Sequence, residues 1–238
     1  MKRVLIKLSG EGLSNKEKNL AIDNGILTDL VSQVQAILKK KIQVSIVVGG
    51  GNFWRGASAE KNGIPRNRAD YIGMLATVMN GLAIQSAFEK NNVKAAIQSS
   101  LSLDPKVAAN YINEKAIDKL EKGEVVIFAG GTGRPYFTTD TAASLFASEI
   151  KADTILMGKN GVNGIYDKDP KTNQNAKKFD VITYNELIEK NLGVMDTTAA
   201  TLASENNVNL IVFDINEKNA LSKAIDGKIE HTKVIKGI

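Results

Sequence analysis

The chain has 238 residues, of which 43% are hydrophobic, and a formal net charge of +5 at neutral pH, enough for a substantial core in a single α/β domain spanning 1–238. It has no cysteine and one histidine, His231, which excludes disulfides, thiol catalysis, thiolate zinc sites and metal sites built on several imidazoles. Its lysines are scattered apart from Lys39, Lys40 and Lys41 and only 5% of residues are aromatic, so the positive excess suits small anions and nucleic acid is not an expected partner.

Met1-Lys2-Arg3 leads directly into a short apolar run, VLIKLSG from Val4 to Gly10. This reads as a first strand and not as a signal-peptide core. A stretch rich in Glu, Lys and Asn over 11–19 reads as a flexible loop. Ile22, Ile26, Leu30, Val34, Ile37 and Leu38 then recur at helical spacing, which predicts an amphipathic helix over 23–40. A second strand opens VSIVVGGGNFWRG at Val44, and a long helix follows over 68–91. That helix is apolar on more than one face, so it is expected to be buried or partly covered by another subunit.

Further strands are expected at 94–97, 125–128, 154–157, 210–213 and 233–235. Helices are expected at 113–122, 141–150, 184–191, 197–206 and 218–225. The segment 160–169, with its VNG turn, reads as a hairpin or irregular loop. This alternation predicts an α/β fold with a largely parallel central sheet covered on both faces by helices. No run approaches the ~18 to 20 apolar residues of a membrane span, so a soluble, cytoplasmic protein with no membrane partner is expected.

Three strands end in glycine-bearing loops: VLIKLSG, VSIVVGGGNFWRG, and VVIFAGGTGRPYFTTD from Val125 to Asp140. Backbone without side chains lets amide N–H groups point at phosphate oxygens, and in a parallel sheet these loops share the C-terminal rim where ligands bind. The chain has neither GxxxxGK[ST] nor a strand-to-helix GxGxxG, so a Walker loop and a dinucleotide fold are unsupported. Lys7 at the first strand end could neutralise charge on a transferred phosphoryl group; alternatively its stem covers the sheet and its head reaches water. Arg55 and Arg134 can grip two oxygens each. Trp54 reads as packing. Asp140, just before a helix, either caps it or takes part in catalysis. A phosphate monoester acceptor has a second pKa of about 6 and is already a dianion at neutral pH, so no general base is required.

The motifs KLSGEGL, GGGNFWRG, RADYIGMLATVMNGLA, GTGRPYFTTDTAA and VMDTTAATLA occur in this order. Together they resemble the bacterial UMP kinase family of the amino acid kinase superfamily, over roughly residues 2–213. The resemblance implies a three-layer sandwich, transfer of the γ-phosphoryl of ATP to UMP in pyrimidine nucleotide biosynthesis, Mg²⁺ as Mg-ATP, and a homohexamer. It places Lys7, Leu8, Ser9 and Gly10 at the ATP phosphates with Gly51 and Arg55, and Asn160, Tyr166 and Asp169 at the ATP nucleoside. Gly50, Asp70, Thr132, Gly133, Arg134, Pro135, Tyr136, Phe137, Thr138 and Thr139 would hold UMP, with Asp70 accepting from ribose hydroxyls. Lys7 and Asp140 would be catalytic, with Lys159 a possible second cation. Two positions depart from the family pattern. SNKEKNLAID at 14–23 replaces a loop linked to GTP activation in relatives, and Val162-Asn163-Gly164 stands where VDG is common. A nucleotide-binding sensor and a kinase of a carboxylate substrate are the competing readings.

Overall fold

The computed structural model describes residues 1–55 and 63–237. Gly56, the last glycine of the GGGNFWRG motif, lies outside the described residues. The central sheet contains β1 (Arg3–Leu8), β2 (Gln43–Val48), β3 (Ala95–Ser99), β4 (Ala109–Asn110), β5 (Val125–Ala129), β6 (Thr154–Lys159), β9 (Val181–Thr183), β10 (Asn209–Asp214) and β11 (His231–Ile235). Two short strands, β7 (Ile165–Tyr166) and β8 (Lys178–Phe179), pair as a separate antiparallel hairpin. The order across the nine strands is β4-β3-β5-β2-β1-β6-β10-β11-β9. Every pairing from β4 to β10 is parallel; β11 is antiparallel to β10, and β9 follows β11.

Alternation along each strand divides the apolar residues between two layers. Val4 and Ile6 of β1 and Val44, Ile46 and Val48 of β2 enter one core with helices α1 (Asn24–Leu38) and α2 (Arg66–Lys90). Leu5 and Val47 point the other way, into a second core with α3 (Asn113–Glu121), α4 (Thr139–Glu149), α5 (Tyr184–Glu189) and α6 (Thr197–Glu205). A last helix, α7 (Ala220–Ile225), packs on the α1 side. Val4, Leu5, Ile6, Val44 and Ile46 are all fully buried, as expected for strands covered on both faces. The three-layer sandwich is therefore as expected, except for the reversed edge formed by β11 and β9.

The chain leaves β1 for β2 on one side and returns to β6 on the other. This reversal opens a crevice at the C-terminal ends of β1 and β6, the usual ligand position in open parallel sheets. Helix starts set the remaining geometry. Asp23 caps α1 by accepting from Gly25 N at 2.7 Å, and α2 begins two residues earlier than expected, after Pro65. Proline fits a helix entry because its fixed φ suits the first turn. By length and composition alone α2 could cross a bilayer, a correction to the reading that no run is long and apolar enough. It packs Met74, Val78, Ile84 and Phe88 inward.

The β1 and β2 loops touch at the rim. A Cβ on Gly10 would lie 2.6 Å from both Gly49 O and Gly51 N and 2.5 Å from Asn52 Oδ1. Two of those three neighbours are backbone, so the loops must separate to admit a methyl group. Gly10→Ala is expected to cost about 1–3 kcal/mol, readable as a lowered Tm at about 2–4 °C per kcal/mol for a chain of this size, together with reduced turnover. Unchanged Tm and activity would show that the loops need not touch.

Candidate active site at the sheet rim

A cavity of about 490 Å³ opens between the β2 loop, the start of α2 and the loop after β5. Gly50, Asp70, Thr132, Phe137, Thr138 and Thr139, all expected in one site, line it together. Gly51, expected on the donor side, also belongs to this wall, as do Trp54, Arg66, Gly73, Met74 and Thr77. Gly50 is needed here for close approach: a Cβ would sit 2.6 Å from Gly73 O of α2. Gly133, Arg134, Pro135 and Tyr136 do not line the cavity but form the rest of the loop over it. Tyr136 N–H donates to Asp70 Oδ2 at 2.8 Å, tying that loop to α2.

A second cavity, of about 470 Å³, lies beyond the end of β6. Its lining brings together Asn160, Tyr166 and Asp169, the expected nucleoside contacts, with Lys159, Ile165 and the segment 190–194. Asn163, in the position where aspartate is common in the family, accepts from Tyr166 OH at 2.6 Å and donates to Glu230 at 2.6 Å. The turn is thus held by one bond that either asparagine or aspartate could accept and one, the donation to Glu230, that only asparagine supplies.

Between these cavities lies an ion pair. Lys7 Nζ, from the end of β1, sits 2.7 Å from Asp140 Oδ1 in the first turn of α4, with side chains 13% and 18% exposed. Asp140 does not cap α4. Thr138 does, accepting from Asp140 N at 3.1 Å and Thr141 N at 3.2 Å. Of the two roles the sequence left open, capping is removed, and the Asp140 carboxylate is turned to the lysine. Thr139 belongs to the wall of the first cavity, while Lys159 belongs to that of the second. The pair therefore stands where the two walls adjoin.

Lys159 donates to Val194 O at 2.7 Å. Burial, and then the nearby Lys7 ammonium, hold it below the ordinary lysine value, against the opposing pull of Asp140. Such a site is deficient in negative charge. Because the folded value is depressed, the unfolded chain binds more protons between that value and about 10.5, so this group makes stability rise with pH in that window. Lys159→Met is expected to flatten that alkaline rise in Tm below the ordinary tyrosine range near 10, and to weaken binding of a polyphosphate. An undiminished slope would contradict the assignment.

Leu8, Ser9, Gly10 and Arg55 line neither cavity. Ser9 accepts from Gly12 N and caps the single turn Gly10–Leu13. Arg55 is tethered to Glu11, Nη2 to Oε1 at 2.6 Å, with both side chains well exposed, a pairing that solvent screens. His231 places Nδ1 2.8 Å from Ile229 O and lines neither cavity. Two residues carry contacts that the sequence did not assign. Asp196, inside VMDTTAATLA, accepts from Thr141 Oγ1 at 3.1 Å and from the Thr138 hydroxyl, and caps α6 through Ala199 N at 2.9 Å. Its position before a threonine and alanine run signals the cap, but not the link to α4. Arg66 pairs with Asp70, Nε to Oδ1 at 3.0 Å.

Residues 2–214 match the model of the amino acid kinase family. The uridylate kinase of Mycoplasmopsis pulmonis is 69% identical over 234 residues, covering 98% of this chain and 96% of that one. The uridylate kinase of Mycoplasmopsis synoviae is 67% identical, with 98% of each covered. Among solved structures, the UMP kinase from Ureaplasma parvum superposes with a TM-score of 0.93 at 43% identity, covering 99% of both chains. The UMP kinase from Bacillus anthracis gives 0.94 at 36% identity, covering 100% of this chain and 97% of that one. A fold shared at that level, with near-complete coverage and up to 69% identity, places the chain in the amino acid kinase family, among its uridylate kinases.

Proposed function

We propose that this chain transfers the γ-phosphoryl group of ATP to UMP, giving UDP and ADP for pyrimidine nucleotide synthesis. UMP occupies the cavity of about 490 Å³ and the ATP nucleoside that of about 470 Å³. The observation that carries this reading is the Lys7–Asp140 pair where the two walls adjoin. An oxygen of the UMP phosphate forms the new bond to the γ-phosphorus, the bond to the β–γ bridging oxygen breaks, and ADP leaves. At neutral pH the acceptor is already mostly dianionic, with a second pKa of about 6. No protein base is needed, in keeping with a rim without histidine.

The protein's task is then positioning and charge neutralisation. Lys7 meets the transferring group, Asp140 fixes the direction of its ammonium, and Lys159 adds a second cation from the donor side. Backbone amides of Gly50 and Gly51, with the Thr139 hydroxyl, serve the acceptor phosphate. Arg55 reaches phosphate by exchanging Glu11 for it. Among the described residues no three acidic or imidazole groups cluster as a metal site. Mg²⁺ enters with ATP as the substrate complex, keeping water and nucleotide oxygens as most of its ligands.

Assembly is part of the same proposal. Tyr71, Leu75, Met79 and Leu82 form an exposed stripe on α2, from 36% to 48% exposed. Covering it against other copies suits the hexamer that the family resemblance implies. Coupled assays with UMP, CMP and N-acetylglutamate test the activity: ADP release that depends on UMP is expected. Turnover of N-acetylglutamate alone, or UMP binding without any ADP release, contradicts it.

A further inference from the structure

Asp70 is expected to receive ribose hydroxyls, yet its carboxylate is already engaged twice within the protein. Arg66 Nε, one turn earlier on α2, lies 3.0 Å from Oδ1 and 3.1 Å from Oδ2. Tyr136 N–H reaches Oδ2 at 2.8 Å across the cavity mouth. Tyr136 has φ of +72°, a left-handed conformation rare for an aromatic residue and sustained only when its surroundings impose it. The Arg66 guanidinium also lies 5.8 Å from the Tyr136 ring centroid. Arg66 therefore contacts both the carboxylate and the strained residue that the carboxylate holds.

We infer that Arg66 is a positioning residue that sets the preference of this cavity for a ribonucleotide over its 2′-deoxy counterpart. A carboxylate has about four acceptor sites, so the protein contacts leave capacity for a sugar hydroxyl. Arg66 fixes the rotamer of Asp70 through contacts to both of its oxygens. The Tyr136 amide, held by the same carboxylate, brings the loop over the sugar. A site whose remaining acceptor position is aimed at a hydroxyl discriminates against a ligand lacking it, because that hydrogen bond is then lost. Loosening Arg66 should therefore erode selectivity and not merely affinity. This inference rests on the reading of the cavity as the UMP site.

The test is calorimetric titration of wild type, Arg66→Met and Arg66→Lys with UMP and with 2′-deoxy-UMP, alongside turnover of UMP by the wild type. Arg66→Met is expected to weaken UMP about tenfold and 2′-deoxy-UMP by less than about twofold, the loss of one charge-assisted hydrogen-bond network. Arg66→Lys, which keeps a cation four residues before Asp70, should recover part of the preference. Arg66 is half exposed, with a side chain 48% accessible, and if Arg66→Met does not fold, Arg66→Gln carries the same comparison. Equal weakening of both ligands, or no change in either, overturns the inference while leaving wild-type turnover intact. A wild type that binds neither nucleotide overturns the reading of the cavity as well.

Discussion

Replacing Lys7 with alanine should lower kcat by about 10²–10³-fold, the range for removing one group aimed at transition-state charge, while KM for UMP stays within a few-fold. The contrast follows from position. Lys7 lines neither of the two rim cavities, so under the proposed function it contributes little to holding either nucleoside. In the proposed mechanism charge shifts beside its ammonium as the phosphoryl group moves, and interactions made only there appear in kcat. The substitution also strands the Asp140 carboxylate, which is only 18% exposed, so some fall in Tm accompanies it. A rise in KM with kcat unchanged would reassign Lys7 to substrate binding, and no change in either would leave it structural.

Asp140→Asn should separate chemistry from folding more cleanly. Asparagine has nearly the same shape, and Thr138 rather than Asp140 caps α4, so the helix start is untouched. What is lost is the negative charge that orients Lys7 and offsets the repulsion between Lys7 and Lys159. We expect kcat to fall about 10–10³-fold, in the range of a lost electrostatic contact in an active site, with Tm shifted by no more than a few degrees. Lys159 should be pushed further down, because the carboxylate that raises it is gone. Full activity with an intact Tm would remove Asp140 from the mechanism.

Much of this arrangement is written into the sequence, and the parts that are not have identifiable reasons. The apolar runs of β1, β2, β5, β6 and β10 are long enough to declare themselves, and their order with the helices between them implies parallel pairing. That places the three glycine loops on one rim before any coordinate is known. The strands β4, β7, β8 and β9 have only two or three residues each, too few for a period of two to register. The reversal of β11 is equally silent, since an antiparallel edge strand carries the same composition as a parallel one. Thr138, Thr139 and Asp140 are all competent caps, so sequence cannot choose among them. The choice depends on Lys7 drawing Asp140 away and Asp196 receiving the Thr138 hydroxyl.

Arg66 illustrates a different limit. The expected helix began at 68, and with that boundary Arg66 belongs to a loop without a defined partner. Pro65 at the helix entry moves the start back and puts Arg66 four residues before Asp70 on the same face. A shift of two residues, ordinary for a helix boundary, thus decides whether an arginine is seen in the site. Gly51, expected on the donor side, lines the same cavity as Gly50, and the direction in which successive glycines turn at a strand end is set by the packing of Gly50 against α2, which the sequence does not display.

The central claim is that two nucleotides meet at Lys7 with their phosphates facing one another. A crystal structure with UMP and a non-hydrolysable ATP analogue bound together tests it most directly. The account predicts UMP beside Asp70 and Thr132, the analogue's nucleoside beside Tyr166 and Asp169, and phosphate oxygens of both on either side of the Lys7 ammonium. Either ligand bound elsewhere, or both bound with Lys7 still paired only to Asp140 and touching no phosphate, would contradict it.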